Sequence, residues 1–361
     1  MRTEPVCKTC FCKYVQTKIV KRLETFRVKN SQPGKERTLL VPLSFGPSST
    51  ALLRVLSRHL KGQIEKTGRT GFKLHVLHVF LPGNDRASSE ALLGKVKDLY
   101  PEHTYSTLVL SSVVSDPELA SSLLPATLQE TLRATLEAAT TTTPPDLLLQ
   151  SLLATLPTPT SRRDTQDLLL RKLITHHALS PKLETTPLPP STILYSSTTT
   201  ALSEKILSET SKGRGSSLPW TVADGDSPLG VQIYFPLREV LRKEIRSYIE
   251  FVAEGDEPRL KGMVLDDGGG SSSSSGDSTT TATPTMMKNS TIDDLTRQYF
   301  ASIEADYPSI VANVVRTTGK LQARTLAEVE AHCELCGLPL EGGRAPERSR
   351  LCYGCIRTMG G

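Results

Sequence analysis

All seven cysteines of this 361-residue chain lie at its two ends: Cys7, Cys10 and Cys12 near the start, and Cys333, Cys336, Cys352 and Cys355 near the finish. Positions 13 to 332 hold none. The body must therefore fold without a disulfide or a thiolate-bound metal, on apolar burial alone. With 37% hydrophobic residues it has material for one substantial core, though not for dense packing from end to end. The four C-terminal cysteines read C-x2-C, fifteen residues, C-x2-C, a spacing that suits tetrahedral thiolate coordination of zinc. Gly337, directly after the first pair, lets the knuckle turn without steric penalty. Four thiolates leave no open coordination position, so the expected role of the zinc is structural. Disulfides are the other reading of these cysteines, and a reducing compartment argues against them. At the other end Cys7 and Cys10 supply half of such a site, Cys12 is awkwardly placed to add a third ligand, and the spacing leaves zinc and a metal-free end equally open.

The formal net charge of +5 is concentrated. Residues 8–37 carry nine basic side chains against Glu24 and Glu36, a local charge of +7 that leaves −2 for the rest. Such a patch is the footprint of a polyanionic partner, because each neutralised phosphate releases a counterion. A solvated helix face is the bland alternative, and charge alone does not separate the two. No run approaches the roughly 18–20 apolar residues of a membrane span, and the start lacks the apolar stretch of a secretory signal. The expected location is cytoplasmic, with no membrane partner.

Val15, Ile19, Leu23 and Phe26 form one apolar stripe and predict a helix over 13–29, broken at 31–34. Short apolar runs at 38–43, 72–80, 107–110, 192–195 and 231–235 read as strands. They alternate with helical patterns near 50–60, 88–99, 164–178, 202–211 and 237–252. That alternation predicts a doubly wound parallel α/β sheet. The Leu- and Thr-rich stretch 117–160, punctuated by prolines, reads as a variable insertion of weak helix and loop. Residues 266–285 are a Gly/Ser/Thr-rich tract, and helices follow near 291–304 and 308–317. The expected division is a basic cysteine-containing module at 1–34, an α/β domain at 35–262, a linker at 263–290, and helices with a four-cysteine zinc module at 291–361.

A strand, a Ser/Gly-rich turn and a helix make a ready anion site in α/β folds. The segment Ser44-Phe-Gly46-Pro-Ser48-Ser49 occupies that position. Its frame is similar to the S-G-G-x-D-S loop of the PP-loop ATP pyrophosphatases: Ser44, Gly46 and Ser49 match, Phe45 replaces a glycine, and Ser48 stands where that superfamily has an acid. The loop reads as degenerate, and efficient ATP cleavage is not expected of it. His75 and His78, three apart in a strand, point to opposite faces and make a poor shared metal site. His176 and His177 end a helix, where capping or solvation is the expected role.

Further along, Gly213-Arg-Gly215, Ser217-Leu-Pro219, Pro236-Leu-Arg238, Lys243-Glu-Ile245, Tyr248, Tyr307-Pro-Ser309, Val315-Arg-Thr317 and Lys320-Leu321 occur in order. With the loop and the terminal cysteine pairs, they resemble the cytoplasmic tRNA 2-thiolation protein 2 family. The resemblance implies a subunit that acts with cytoplasmic tRNA 2-thiolation protein 1. That pair places sulfur, carried as a thiocarboxylate on a ubiquitin-related modifier, on the wobble uridine of lysine, glutamine and glutamate tRNAs. With tRNA as the polyanion, the basic stretch at 8–37 gives the expectation of tRNA contact through Lys13, Lys18, Lys21, Arg22 and Arg27. The family tends to carry a fuller N-terminal cysteine set, and this chain opens at what looks like the second pair. Sulfur handling needs thiolates or a cysteine-held cluster near the sheet, and this body has no thiol to offer; the expectation is a non-catalytic half. Its rivals are an active ATP pyrophosphatase that adenylates tRNA itself and a zinc-stabilised adaptor that grips only proteins.

Overall fold

The computed structural model describes residues 6–31, 33–138, 143–180, 192–255, 257–265, 290–323, 329–340 and 349–360. The low-complexity tract at 266–285 lies outside the described residues. Six strands, β1 (Arg37–Pro42), β2 (Phe72–Phe80), β3 (Thr104–Val109), β4 (Thr192–Leu194), β5 (Gly225–Asp226) and β6 (Gln232–Tyr234), form one sheet in the order β3-β2-β1-β4-β6-β5. Every pairing is parallel except β5 with β6. Leu39 sits opposite Leu74, and Ile193 opposite both Leu40 and Ile233. The chain runs outward from β1 to β3 and then returns to lay β4 on the other side of β1. The switch point of this doubly wound sheet therefore lies between β1 and β4, where such folds open a crevice at the carboxyl ends of the strands.

The helices are α1 (Lys8–Lys21), α2 (Pro47–Thr67), α3 (Arg86–Leu99), α4 (Ser112–Ser115), α5 (Pro117–Leu123), α6 (Ala126–Ala138) and α7 (Pro145–Ala154). They continue with α8 (Pro159–Leu179), α9 (Thr199–Ser211), α10 (Leu218–Thr221), α11 (Arg242–Glu254), α12 (Ile292–Asp306), α13 (Pro308–Thr318) and α14 (Tyr353–Met359). Alternate side chains of the strands feed two cores, as the two-residue period of a strand demands. Leu39, Val41, Leu74 and Val76 pack with α1, α2, α3 and α11, whereas Leu40, Leu77, Ile193 and Ile233 pack with α8 and α9. A third core joins α5, α6, α7 and α8 to Trp220 and to Cys333, Leu335, Cys336, Leu338 and Cys355.

Two sequence expectations need correction. The helix expected over 13–29 spans Lys8–Lys21 and gives way to two 3-10 turns, Glu24–Phe26 and Val28–Asn30. The stripe is nevertheless buried throughout, because the turns bring Phe26 edge-on to Phe72 and Tyr234. Gly71 permits this approach: a Cβ there would lie 2.3 Å from the Phe26 carbonyl oxygen. The region 117–160 is not weak helix and loop. It folds as three helices whose Leu123, Leu128, Leu149 and Leu152 build the third core. Of its prolines, Pro145 and Pro159 misled because they stand in the first turns of α7 and α8, where a missing N–H costs nothing.

Candidate functional site

The loop after β1 is packed shut. Phe45 has φ 59°, left-handed backbone that is uncommon outside glycine, and its buried ring lies 4.6 Å from that of His78. His78 Nδ1 is bonded to the Leu43 carbonyl at 2.8 Å. The Ser44 N–H donates to Ser49 Oγ at 3.3 Å, the two hydroxyls share a bond at 3.2 Å, and Ser49 Oγ donates to the Gly46 carbonyl at 3.1 Å. The Leu265 N–H donates to the Phe45 carbonyl at 2.8 Å, laying a later segment of the chain against the loop. Of the residues singled out, Ser44 is exposed, Gly46 and Ser48 are half-buried, and Ser49 is buried at the start of α2. As expected, His75 and His78 lie on opposite faces. His75 bonds Thr104 and Ser106 and its ring lies 5.8 Å from the tilted ring of His177, so His177 is packed against the sheet rather than solvated.

Beyond the carboxyl ends of β4 and β6 lies a crevice of about 810 Å³ between α1, the N-terminus of α9 and α13. Four cations line it: Lys18, Arg22, Arg238 and Arg316, with Glu239 and Glu244 opposite and Tyr14 and Pro308 on the walls. Lys18 lies over the Tyr14 ring at 4.7 Å and donates to the Glu239 carbonyl at 2.8 Å. Arg22 pairs with Asp224 and reaches Glu239 at 3.6 Å. Arg238 donates to the carbonyls of Val222 and Val315, and burial lowers its pKa. Three of the sequence segments singled out for their family likeness, 236–238, 307–309 and 315–317, thus meet in one place. Of the basic residues expected to contact RNA, Lys18 and Arg22 enter the crevice, and Lys13 and Lys21 stand exposed on α1. Arg27 lies past the helix, paired with Glu24 at 2.9 Å. Tyr14 was missed as a wall residue, and Arg316, quoted only as part of a family-like segment, was not linked to the basic helix, because nothing local in the sequence brings α13 beside α1.

The C-terminal cysteines converge: the sulfurs of Cys333, Cys336, Cys352 and Cys355 all lie within 4.8 Å of one another. Gly337 has φ 71° and donates its N–H to the Cys333 carbonyl at 2.8 Å, the knuckle expected of it. Hydrogen bonds from the neighbouring thiols hold Cys333 well below the ordinary thiol range, while the same neighbours push Cys355 up. Four sulfurs so close, with three of the cysteines buried, form a donor set that fits one soft tetrahedral cation. Lys172 Nζ donates to the Glu334 carbonyl at 2.8 Å and adds positive charge beside the thiols. Among the described residues, no group of three or more potential ligands includes Cys7 or Cys10. Those two are exposed, and Cys7 serves as the N-cap of α1.

The module is bolted to the sheet domain by the Gly213-Arg-Gly215 segment. Buried Arg214 binds Asp164 from α8 at 2.8 Å and Glu209 from α9 at 2.6 Å, and Asp164 in turn accepts from Thr358 of α14 at 2.9 Å. Gly354, between the last two cysteines, lies against Arg214 so closely that a Cβ would sit 2.4 Å from its Cγ. No helix among the described residues is long and apolar enough to cross a membrane.

Comparison with known proteins agrees with this geometry. The family model for cytoplasmic tRNA 2-thiolation protein 2 matches residues 291–349. The proteins of that description from Phaeosphaeria nodorum and Pyrenophora tritici-repentis are each 39% identical, with 99% of this chain and 91% of the relative aligned. The one from Coccidioides immitis is 31% identical over 99% of this chain and 93% of its own length. Among solved structures, the U34-tRNA thiolase NcsA from Methanococcus maripaludis, determined with its 4Fe-4S cluster, superposes with a TM-score of 0.51 at 13% identity, covering 94% of this chain and 87% of that one. That likeness concerns the fold, a mostly parallel six-stranded α/β sheet, while the near full-length sequence matches go further. By them this chain is a member of the cytoplasmic tRNA 2-thiolation protein 2 family.

Proposed function

We propose that this chain is the non-catalytic subunit of the complex that 2-thiolates the wobble uridine of tRNA. In this reading it pairs with cytoplasmic tRNA 2-thiolation protein 1, which takes sulfur from a thiocarboxylated ubiquitin-related modifier, and it helps to hold the RNA. The observation that carries the proposal is the closed loop after β1. Phe45 fills the space where a glycine would let phosphate approach backbone, and the serine hydroxyls are spent on one another. A body without cysteine between positions 12 and 333 supports the same reading, since sulfur transfer by thiolate or cluster has no local donor.

The RNA-facing surface in this proposal is α1 with the adjoining crevice. Exposed Lys13 and Lys21, with Lys18 and Arg22 at the crevice wall, offer a track of charge at the spacing of a helix face. The four C-terminal thiolates would hold a structural zinc, whose contribution is to close the third core rather than to do chemistry.

The test is reconstitution. The purified chain, given ATP and tRNA, is expected to release no pyrophosphate and to form no thiouridine, and to support thiolation when the catalytic partner and sulfur carrier are added. Pyrophosphate release by the chain alone would instead make it an adenylating enzyme. Partner-dependent activity without tRNA crosslinking to α1 would make it a protein-only adaptor. Metal analysis is expected to give one zinc per chain; two would restore a site at Cys7 and Cys10.

A further inference from the structure

A second cavity, of about 210 Å³, lies under the carboxyl ends of β4 and β6, between α8 and α9. Its floor is apolar, with Ile174, Trp220, Ile233 and Leu338. Two polar atoms on its walls are buried without the partners that burial normally demands. Arg171 spends one N–H on the Cys336 carbonyl at 2.8 Å, but its Nε is buried and makes no hydrogen bond. Tyr195 Oη, at the end of β4, is also buried without a partner. Lys205 of α9, half-buried, has no hydrogen bond or ion pair among the described residues; it borders this cavity and a neighbouring hollow of about 260 Å³ that Asp164, Asp167, Glu204 and Glu209 also line.

The nearby acids are each paired with another cation, although Asp167 itself lines the cavity and Asp167 and Glu209 still attract the Lys205 amine. Asp167 is paired with Arg163 at 3.2 Å, Glu209 with Arg214 at 2.6 Å, and Asp164 with Arg214 and Lys212. Burial and the repulsion of Arg171 push the Lys205 amine down to about 8. Two cations without an ion pair among the described residues, a buried unbonded Nε and an orphaned hydroxyl around one hollow describe a site that lacks an anion.

We propose that this cavity binds a small phosphate-bearing anion, with Lys205 and Arg171 supplying charge and Tyr195 Oη a hydrogen bond. The cavity is smaller than the about 300 Å³ at which sites for drug-sized ligands begin. It therefore suits a free phosphate or a short phosphate ester rather than a nucleotide. The site is separate from the loop after β1 and does not depend on the RNA reading.

Trp220 is the only tryptophan in the chain, and it lines the cavity, so its fluorescence reports on this place alone. Titration of the full chain with inorganic phosphate at constant ionic strength is expected to give a saturable change in emission. The midpoint should rise at least about tenfold in Lys205→Met, as loss of one charge-assisted bond predicts. Lys205→Met removes a half-buried charge without leaving a polar partner unsatisfied, so it should melt no lower than the parent; phosphate should raise the melting temperature of the parent more than that of the variant. Parallel titration with glycerol 3-phosphate assigns the source of the phosphate group: tighter binding points to an ester, equal or weaker binding to the free ion. A non-saturable signal, or the same midpoint in Lys205→Met and in Tyr195→Phe as in the parent, would overturn the proposal.

Discussion

His75 shows how a buried side chain ties the stability of the sheet to pH. It is 5% exposed, bonded through both ring nitrogens to Thr104 and Ser106, and its ring lies 5.8 Å from that of His177. Burial first, and His177 second, lower its pKa from 6.5 to about 4. A folded-state pKa below the unfolded one means that the unfolded chain takes up the proton first as pH falls. Its stabilising contribution is full above about pH 6.5 and drains away toward pH 4, by about 2 kcal/mol between 6.5 and 5. Denaturant midpoints measured from pH 7 to pH 5 should fall in the parent and fall less in His75→Gln; parallel curves would remove His75 as the cause. Arg214 is the opposite case, a charge whose removal strands others. Arg214→Met would take from buried Asp164 and Glu209 the cation that bonds both, and the expected loss is about 3–5 kcal/mol in chemical unfolding. The sequence marked Arg214 through its flanking glycines but not its role, because its partner Asp164 lies in another helix with no local signal joining them.

At the scale of elements, periodicity was a good guide where packing follows one face. The five strands read from apolar runs and the pair α12 and α13 formed close to where the spacing placed them, and the stripe Val15 to Phe26 is buried although its helix ends at Lys21. It failed over 117–160, where leucine is so dense that no face stands out and prolines that start helices look like breakers. Reading charge as a track along α1 was only partly sound. Arg22 is engaged by Asp224 and Glu239, and Lys18 by the Glu239 carbonyl, whereas Lys13 and Lys21 are exposed with no carboxylate partner among the described residues. This divides the RNA prediction. Lys13→Ala with Lys21→Ala should lower the slope of log binding against log salt by about 1–2 with no change in melting, since each phosphate contact contributes somewhat less than one unit. Arg22→Ala should lower melting as well, because it leaves half-buried Asp224 with only the Phe235 N–H. An unchanged slope in the double variant would take α1 out of the RNA interface.

For the whole molecule, the sharing of cores matters more than the linear order of segments. Three of the four C-terminal cysteines belong to the core built by α5 to α8, while β1, β2 and α1 to α3 pack into another. The two ends of the chain thus sit in different cooperative neighbourhoods, joined through the sheet and through the Arg214 network. A structural metal at Cys333, Cys336, Cys352 and Cys355 would stabilise mainly its own neighbourhood, because stability in such folds is distributed in local units. Chelation followed by hydrogen exchange should therefore deprotect α5 to α8 and α14 by several orders of magnitude, leaving the amides of β1 and β2 near their original rates. The crevice between α1 and α13 should survive that treatment, with RNA affinity in the chain falling little until the whole molecule melts. Uniform deprotection would mean that the cores are one unit after all, and that the metal governs the RNA-facing surface through the Arg214 network.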